Sequence, residues 1–290
     1  MSFDSLDSLP GATGELGTEL LAAIGLARAA GDLVLKYHRG DELGVELKAG
    51  DEPVTVADKL ASELIVEGLG KRFSDPIVSE ELALAEGVLQ SSQAGRLWLV
   101  DPIDGTKDFI RGSDGFSVMI GLLRAGRPVL GVVHQPAVDP PHGRIFIATP
   151  DGGAHVVTSK GVAALRVSNV AAASEARLVA SASHRGPDID KVKSALGIDD
   201  EQNVGSVGVK LCLIALGLRD LYVNPAAKTK VWDTCAPEAI LAGAGGRLSD
   251  LFGTPVDYTE LRQRRGLVAS NGHVHQEVVD KLGPLFKKKS

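Results

Sequence analysis

The chain has 290 residues, with 44% hydrophobic and 23% charged content and a formal net charge of -6. That length and apolar share support two modest packed units with a sizeable core. The acid excess argues against a nucleic-acid polymer as partner, since such a partner calls for a basic surface.

Cys212 and Cys235 are the only cysteines. They are too few for a disulfide framework and read as small buried apolar residues. Met1 to Gly11 lacks the basic and apolar regions of a secretory signal, so residues 1–13 read as a flexible leader. No apolar run approaches bilayer length, and the closing Lys287-Lys288-Lys289 reads as a solvated tail. The expectation is a soluble, cytoplasmic protein.

Thr18 to Tyr37 carries apolar residues at helical spacing and predicts a long amphipathic helix. Gly44 to Lys48 predicts a short strand, and Gly50-Asp51-Glu52-Pro53 a turn. Thr55 with Asp58 three residues on resembles a capping box and opens a helix to about Phe73. Asp58 either complements the dipole of that helix or serves a site. Pro76 to Val78 reads as a strand ending in Ser79-Glu80-Glu81, and Leu82 to Gly95 as a candidate mobile flap.

Leu97 to Val100 then predicts a buried strand running into Asp101-Pro102-Ile103-Asp104-Gly105-Thr106. Pro102 cannot donate to a ladder, so the strand is expected to stop there, with Thr106 as the N-cap of a following helix. Asp101 and Asp104 then leave the carboxyl end of one strand together, where an open α/β sheet commonly holds its ligand. An Asp-rich turn is the bland alternative. An aspartyl-phosphate phosphatase would read Asp-x-Asp-Gly-Thr. The extra residue here suits two ligands gathered by a turn rather than a nucleophile and acid pair.

Phe116 to Leu123, Pro128 to Gln135 and Arg144 to Ala148 predict an antiparallel meander, with His155 to Val157 and Leu165 to Val167 as edge strands. The second half alternates. Strands are predicted at Arg177 to Ala182, Leu221 to Val223, Arg247 to Asp250 and Leu267 to Ala269. Helices are predicted at Asp188 to Leu196, Gly208 to Leu216, Thr234 to Ala244 and His273 to Leu285. The fold class is α+β, with an N-terminal α+β domain over 14–172 and a smaller C-terminal α/β domain over 173–290.

Four separated places put acids at element ends: Asp58, Glu80-Glu81, Asp101 with Asp104, and Trp232-Asp233, where Asp233 reads as a helix N-cap. Oxygen ligands without His or Cys fit Mg²⁺. His273-x-His275 reads as exposed, because zinc needs three or four converging ligands. Gly70-Lys71-Arg72 lacks the Ser or Thr of a phosphate loop. Ser206, one turn before Lys210, reads either as a helix N-cap or as part of an anion site.

Asp101-Pro102-Ile103-Asp104-Gly105-Thr106, Val54-Thr55-x-Ala57-Asp58, Ser79-Glu80-Glu81 and Trp232-Asp233 together resemble the four blocks of the lithium-sensitive, Mg²⁺-dependent phosphatase superfamily that includes inositol monophosphatase. Thr106-Lys107-Asp108-Phe109-Ile110, Ser183-His184-Arg185 and the segment Ser206 to Ala215 resemble its 3′(2′),5′-bisphosphate nucleotidase branch. The resemblance implies a layered α/β/α/β/α sugar-phosphatase sandwich. It also implies one Mg²⁺ on Glu80, Asp101 and the Ile103 carbonyl, a second on Asp101, Asp104 and Asp233, and a third, weaker ion near Asp58 and Glu80.

Glu80 and Thr106, the latter oriented by Asp58, would position the attacking water. Gly105 and Thr106 amides would cradle the phosphate. Ser206, Lys210, Lys230, Lys228, His184 and Arg185 are the candidates to meet the substrate. The implied reaction converts 3′-phosphoadenosine 5′-phosphate to AMP, a step of sulfur metabolism. Inositol 1-phosphate or a broader set of sugar phosphates is the alternative, and a non-catalytic nucleotide sensor the alternative of another class. The expected partner is thus a small phosphorylated nucleotide or sugar, with a homodimer left open.

Overall fold

The computed structural model describes residues 8–40, 43–48, 52–182, 185–226 and 228–286. The described residues open in turns over 8–13, with Leu9 buried against the first core cluster; residues 1–7 of the expected leader lie outside them. Helix α1 (Gly17–Tyr37) follows, then a hairpin of β1 (Glu46–Lys48) and β2 (Glu52–Val54), then α2 (Val56–Gly70). Glu52 and Pro53 form a strand and not the expected turn, because Leu47 and Lys48 pair across to Pro53 and Glu52. Thr55 caps α2 through the expected capping box with Asp58.

Strand β3 (Ile77–Ser79), a short helix α3 (Val88–Ser91) and β4 (Arg96–Asp104) come next, followed by α4 (Thr106–Ile110). Strand β4 does not stop at Pro102 as expected. It is paired to β3 only as far as Val100, and its register on the next strand shifts between Asp101 and Asp104. The missing N–H of Pro102 thus falls in a bulge, where a proline is tolerated. Gly105, at φ +94°, caps α4 in place of Thr106, which is the first helical residue.

The meander is β5 (Ser117–Arg124), β6 (Arg127–Gln135), β7 (Arg144–Thr149), β8 (Gly153–Thr158) and β9 (Gly161–Ala164). The last strand lies earlier than the expected Leu165 to Val167, because a turn at Gly161 lets β9 pair straight back onto β8. Seven strands, β3 to β9 in chain order, form one sheet, parallel only between β3 and β4. After Leu165 the chain crosses to a second unit: β10 (Leu178–Ser181), α5 (Pro187–Leu196), β11 (Glu201–Val204), α6 (Val207–Ala215), β12 (Leu221–Asn224), α7 (Val231–Gly243), β13 (Arg247–Ser249), β14 (Leu267–Ser270) and α8 (His275–Phe286). Its five strands run in the order β11, β10, β12, β14, β13. Strand β11 escaped the sequence reading because Glu201, Gln202 and Asn203 are polar, as an exposed edge strand permits.

Side chains of β4 are buried on both faces and alternate between them: Trp98 and Val100 pack with α1 and α2, while Leu97 and Leu99 face α6 and α7. The same inner layer packs Val179 and Tyr222 of the second sheet, whose other face meets α5 and α8 through Leu178, Leu221, Ile189 and Val278. This gives the expected α/β/α/β/α layering. Two glycines paired across β5 and β6, Gly121 and Gly131, let α7 approach the first sheet. A Cβ on Gly131 would stand 2.1 Å from the Ala236 carbonyl oxygen. Helix α7 and its Asp233 are thereby seated against the sheet whose strand β4 carries Asp101 and Asp104.

His275 is buried and not exposed as expected. Its ring nitrogens meet Ser249 Oγ at 2.8 Å and Ser270 Oγ at 2.9 Å, while His273 faces solvent. Both cysteines are buried. Among the described residues, no helix is long and apolar enough to cross a membrane.

Candidate active site

The ends of β3 and β4 and the starts of α4, α6 and α7 meet at one cavity of about 280 Å³. Glu80 follows β3, and its backbone N–H donates to the Val100 carbonyl, placing it beside Asp101. Asp233 sits in the first turn of α7, where its Oδ2 accepts from the backbone N–H of Lys230 at 2.8 Å. Lys230, not Asp233, is the N-cap of that helix.

Carboxylate oxygens of Glu80, Asp101 and Asp233 lie within 4.8 Å of one another. Asp101 Oδ1 is buried without a hydrogen-bond partner. Burial, then the neighbouring charges of Glu80, Asp104 and Asp233, push the Asp101 carboxyl well above its usual range. Asp233 is raised well above it too, by burial and then by Glu80 and Asp104. Three converging carboxylates with an orphaned buried oxygen fit a hard divalent cation.

Asp104 stands beside this trio with one oxygen committed. Its Oδ2 accepts from Ser206 Oγ at 2.5 Å and from the Gly208 amide at 2.7 Å, which leaves Oδ1 for a ligand. Ser206 is fully buried, and its hydroxyl also caps α6 by accepting from the Val209 amide. With its one hydrogen given to Asp104, Ser206 has no donor left for a substrate. It positions Asp104 instead.

Asp58 is pushed up to about 6 by burial, against the hydrogen bonds from Thr55. Its Oδ1 accepts from Thr106 Oγ1 at 3.2 Å, and the Ile103 carbonyl is a second acceptor for that hydroxyl at 3.0 Å. Gly105 and Thr106 line the cavity.

The basic residues are less free than the sequence suggested. Lys210 lines the cavity but is buried, donating to the carbonyls of Val204 and Gly205 at 3.1 and 2.6 Å. Burial lowers its pKa to about 8, with Asp104 opposing. Lys230 donates to Glu52 and Glu80. Lys228 lies exposed at the rim. Arg185 is turned into a bidentate pair with Glu201 and a further pair with Asp190, and does not line the cavity. His184 lies outside the described residues.

Sequence reasoning missed Lys48 and Glu52, the charged residues of the β1–β2 hairpin, which reach Glu80 directly or through Lys230. Their only signal was alternation over Glu46 to Lys48 and Glu52 to Val54, too short to read alone, and the expected turn residues Gly50 and Asp51 lie outside the described residues.

The model of the inositol monophosphatase family matches residues 17–284. The chain belongs to the inositol monophosphatase family. It is accordingly an enzyme of that phosphatase family. The 3′(2′),5′-bisphosphate nucleotidase CysQ of Shigella flexneri is 36% identical over 236 residues, covering 81% of this chain and 91% of its own length. The Nus factor SuhB of Pasteurella multocida is 31% identical, covering 92% and 97%. Among solved structures, the IMPase of Thermotoga maritima superposes with a TM-score of 0.77 at 27% identity, covering 92% of this chain and 98% of that one. Within the inositol monophosphatase family, then, the chain is similar both to nucleotidases and to proteins named for inositol phosphates.

Proposed function

We propose that the protein hydrolyses the 3′-phosphate of 3′-phosphoadenosine 5′-phosphate, releasing AMP, with two Mg²⁺ ions and a third, weaker one in support. The observation that carries this reading is the convergence of Glu80, Asp101 and Asp233 on one cavity, in a chain similar to bisphosphate nucleotidases. That cavity also has an apolar wall of Ile189, Val207, Val223 and Pro225 with Lys107 and Lys228 on its lining. An apolar wall with cations beside it suits a base and a second phosphate better than a polyol, whose hydroxyls need polar partners.

Glu80, Asp101 and the Ile103 carbonyl would hold one ion, and Asp101, Asp104 and Asp233 the second. Bound there, the ions lower the pKa of coordinated water and neutralise charge developing on the phosphoryl oxygens. The chain supplies orientation. Thr106 gives its single hydrogen to Asp58 or to the Ile103 carbonyl, leaving hydroxyl lone pairs that accept from a water and aim its oxygen. Asp58, fixed by Thr55, holds Thr106 in that attitude. Gly105 brings backbone close to the phosphate without a side chain in the way.

Phosphate release measured side by side on 3′-phosphoadenosine 5′-phosphate, inositol 1-phosphate and a set of sugar phosphates tests the reading. Preference for the bisphosphate by at least about tenfold in kcat/KM supports it. Preference for inositol 1-phosphate overturns it, and so does binding of the bisphosphate with no phosphate released.

A further inference from the structure

One oxygen of Glu80 accepts from two ammonium groups: Lys48 Nζ at 3.3 Å and Lys230 Nζ at 3.1 Å both reach Oε1. Each lysine has a second carboxylate. Lys48 bonds Glu81 at 2.6 Å, and Lys230 bonds Glu52 at 2.6 Å. An unbroken row, Glu81, Lys48, Glu80, Lys230, Glu52, is therefore formed, of which Glu80, Lys230 and Glu52 line the cavity. Its ends lie on the loop after β3 and on β2, while Lys230 caps α7.

The Lys230 side chain is only 12% exposed and also stands over the Trp232 ring, 5.3 Å from its centroid. Two of its three donors are spent on carboxylates. This is the geometry of a counter-ion, not of an anchor waiting for phosphate. Any cation entering among Glu80, Asp101 and Asp233 meets that ammonium as a like charge, and like charges a few ångströms apart repel even near the surface. Glu52, on the far side of the same nitrogen, pulls it away from Glu80.

We propose that Lys230 is the resident counter-ion of the carboxylate cluster, a positioning residue that sets the affinity for divalent cations, and that Glu52 meters it by drawing the ammonium off Glu80. The inference rests on the reading that the cluster holds such a cation. It also gives the hairpin a chemical role, since the charge on β2 tunes the cluster through one shared lysine that lies 178 residues from Glu52 and 150 from Glu80 in sequence.

Isothermal titration of Mg²⁺ into the full-length, chelator-treated protein, without substrate, tests this. Lys230→Met is expected to tighten Mg²⁺ binding by about five- to tenfold, and Lys230→Arg to stay within about twofold of wild type. Glu52→Gln is expected to weaken binding by about threefold or more, because the ammonium then settles wholly on Glu80. In the Lys230→Met background the Glu52 substitution should shift the constant by less than about twofold, since the two act through one contact.

Metal-free melting reports a second effect. Lys230→Met should melt a few degrees lower in chelator, having left Glu80 one ammonium short. If Lys230→Met does not fold, Glu52→Gln on the rim carries the test alone, and Mg²⁺ binding unchanged in it overturns the counter-ion inference. Wild-type uptake of Mg²⁺ with no tightening in Lys230→Met, or a Glu52 effect undiminished in that background, overturns the counter-ion inference alone. A wild-type protein that takes up no Mg²⁺ overturns the cation site itself, and this inference with it.

Discussion

Asp101→Asn separates what the carboxylate cluster does for chemistry from what it does to the fold. Asp101 is buried, one oxygen lacks a partner, and oxygens of Glu80 and Asp233 lie within 4.8 Å. At that separation and an effective dielectric of about 20, two full charges repel by about 3 kcal/mol. The raised pKa values of Asp101 and Asp233 mean that protons already relieve part of this without metal. The expected gain on removing the charge is therefore about 1–3 kcal/mol in chelator at pH 7.5, or roughly 2–6 °C in melting temperature for a chain of this size. Adding Mg²⁺ should reverse the order, because wild type gains stability from a ligand that the variant binds poorly. Phosphate release should fall by about 10³-fold or more if Asp101 is a ligand shared by two ions, as proposed above. Thermal melts with and without Mg²⁺, read beside a phosphate-release assay, make the check. A variant that melts at or below wild type in chelator, or that keeps turnover within tenfold, contradicts a metal-bridging role for Asp101.

Two further outcomes follow from the geometry. Thr106→Ala removes the hydroxyl shared by Asp58 and the Ile103 carbonyl and should lower kcat by about 10²-fold with KM little changed, while Thr106→Ser restores most of it; equal loss in both variants rules out an orienting role for the hydroxyl. His275 is held down to about 4 from its ordinary 6.5, by burial and then by Arg247. Above the unfolded value the fold keeps its full stability. As pH falls from about 6.5 to 4 the unfolded chain takes a proton that the fold refuses, and about 3 kcal/mol is lost. His275→Gln should flatten that acid limb in melts taken from pH 7.5 to 4.5, and an unchanged limb counts against this origin.

The acids at element ends were legible because each follows a local pattern: an apolar run broken by Asp101-Pro102, a capping box at Thr55, a strand ending at Glu80, a helix start at Asp233. What could not be read was whatever depends on a partner far along the chain. Pro102 stays in its strand because the pairing with β3 has already ended at Val100, a fact of the sheet and not of the proline. Ser206 serves Asp104, and Arg185 serves Glu201 and Asp190, because folding brings their acceptors alongside. His275 is buried only because Ser249 and Ser270 converge on it from two strands. Lys48 and Glu52 stayed invisible for the same reason, since a charged pair in a short hairpin gives no hint of the carboxylate it will meet.

The bare patch that Gly121 and Gly131 leave on the first sheet works as a socket. A helix from the later half of the chain is plugged into it, with the Ala236 backbone against Gly131 and Cys235 and the Ala236 amide against Gly121. A joint of that kind does not swing, so the two halves cannot part like jaws around Asp101 and Asp233. At the periphery, β1 and β2 pair with each other and with neither large sheet, and they reach the cluster through the side chains of Lys48 and Glu52.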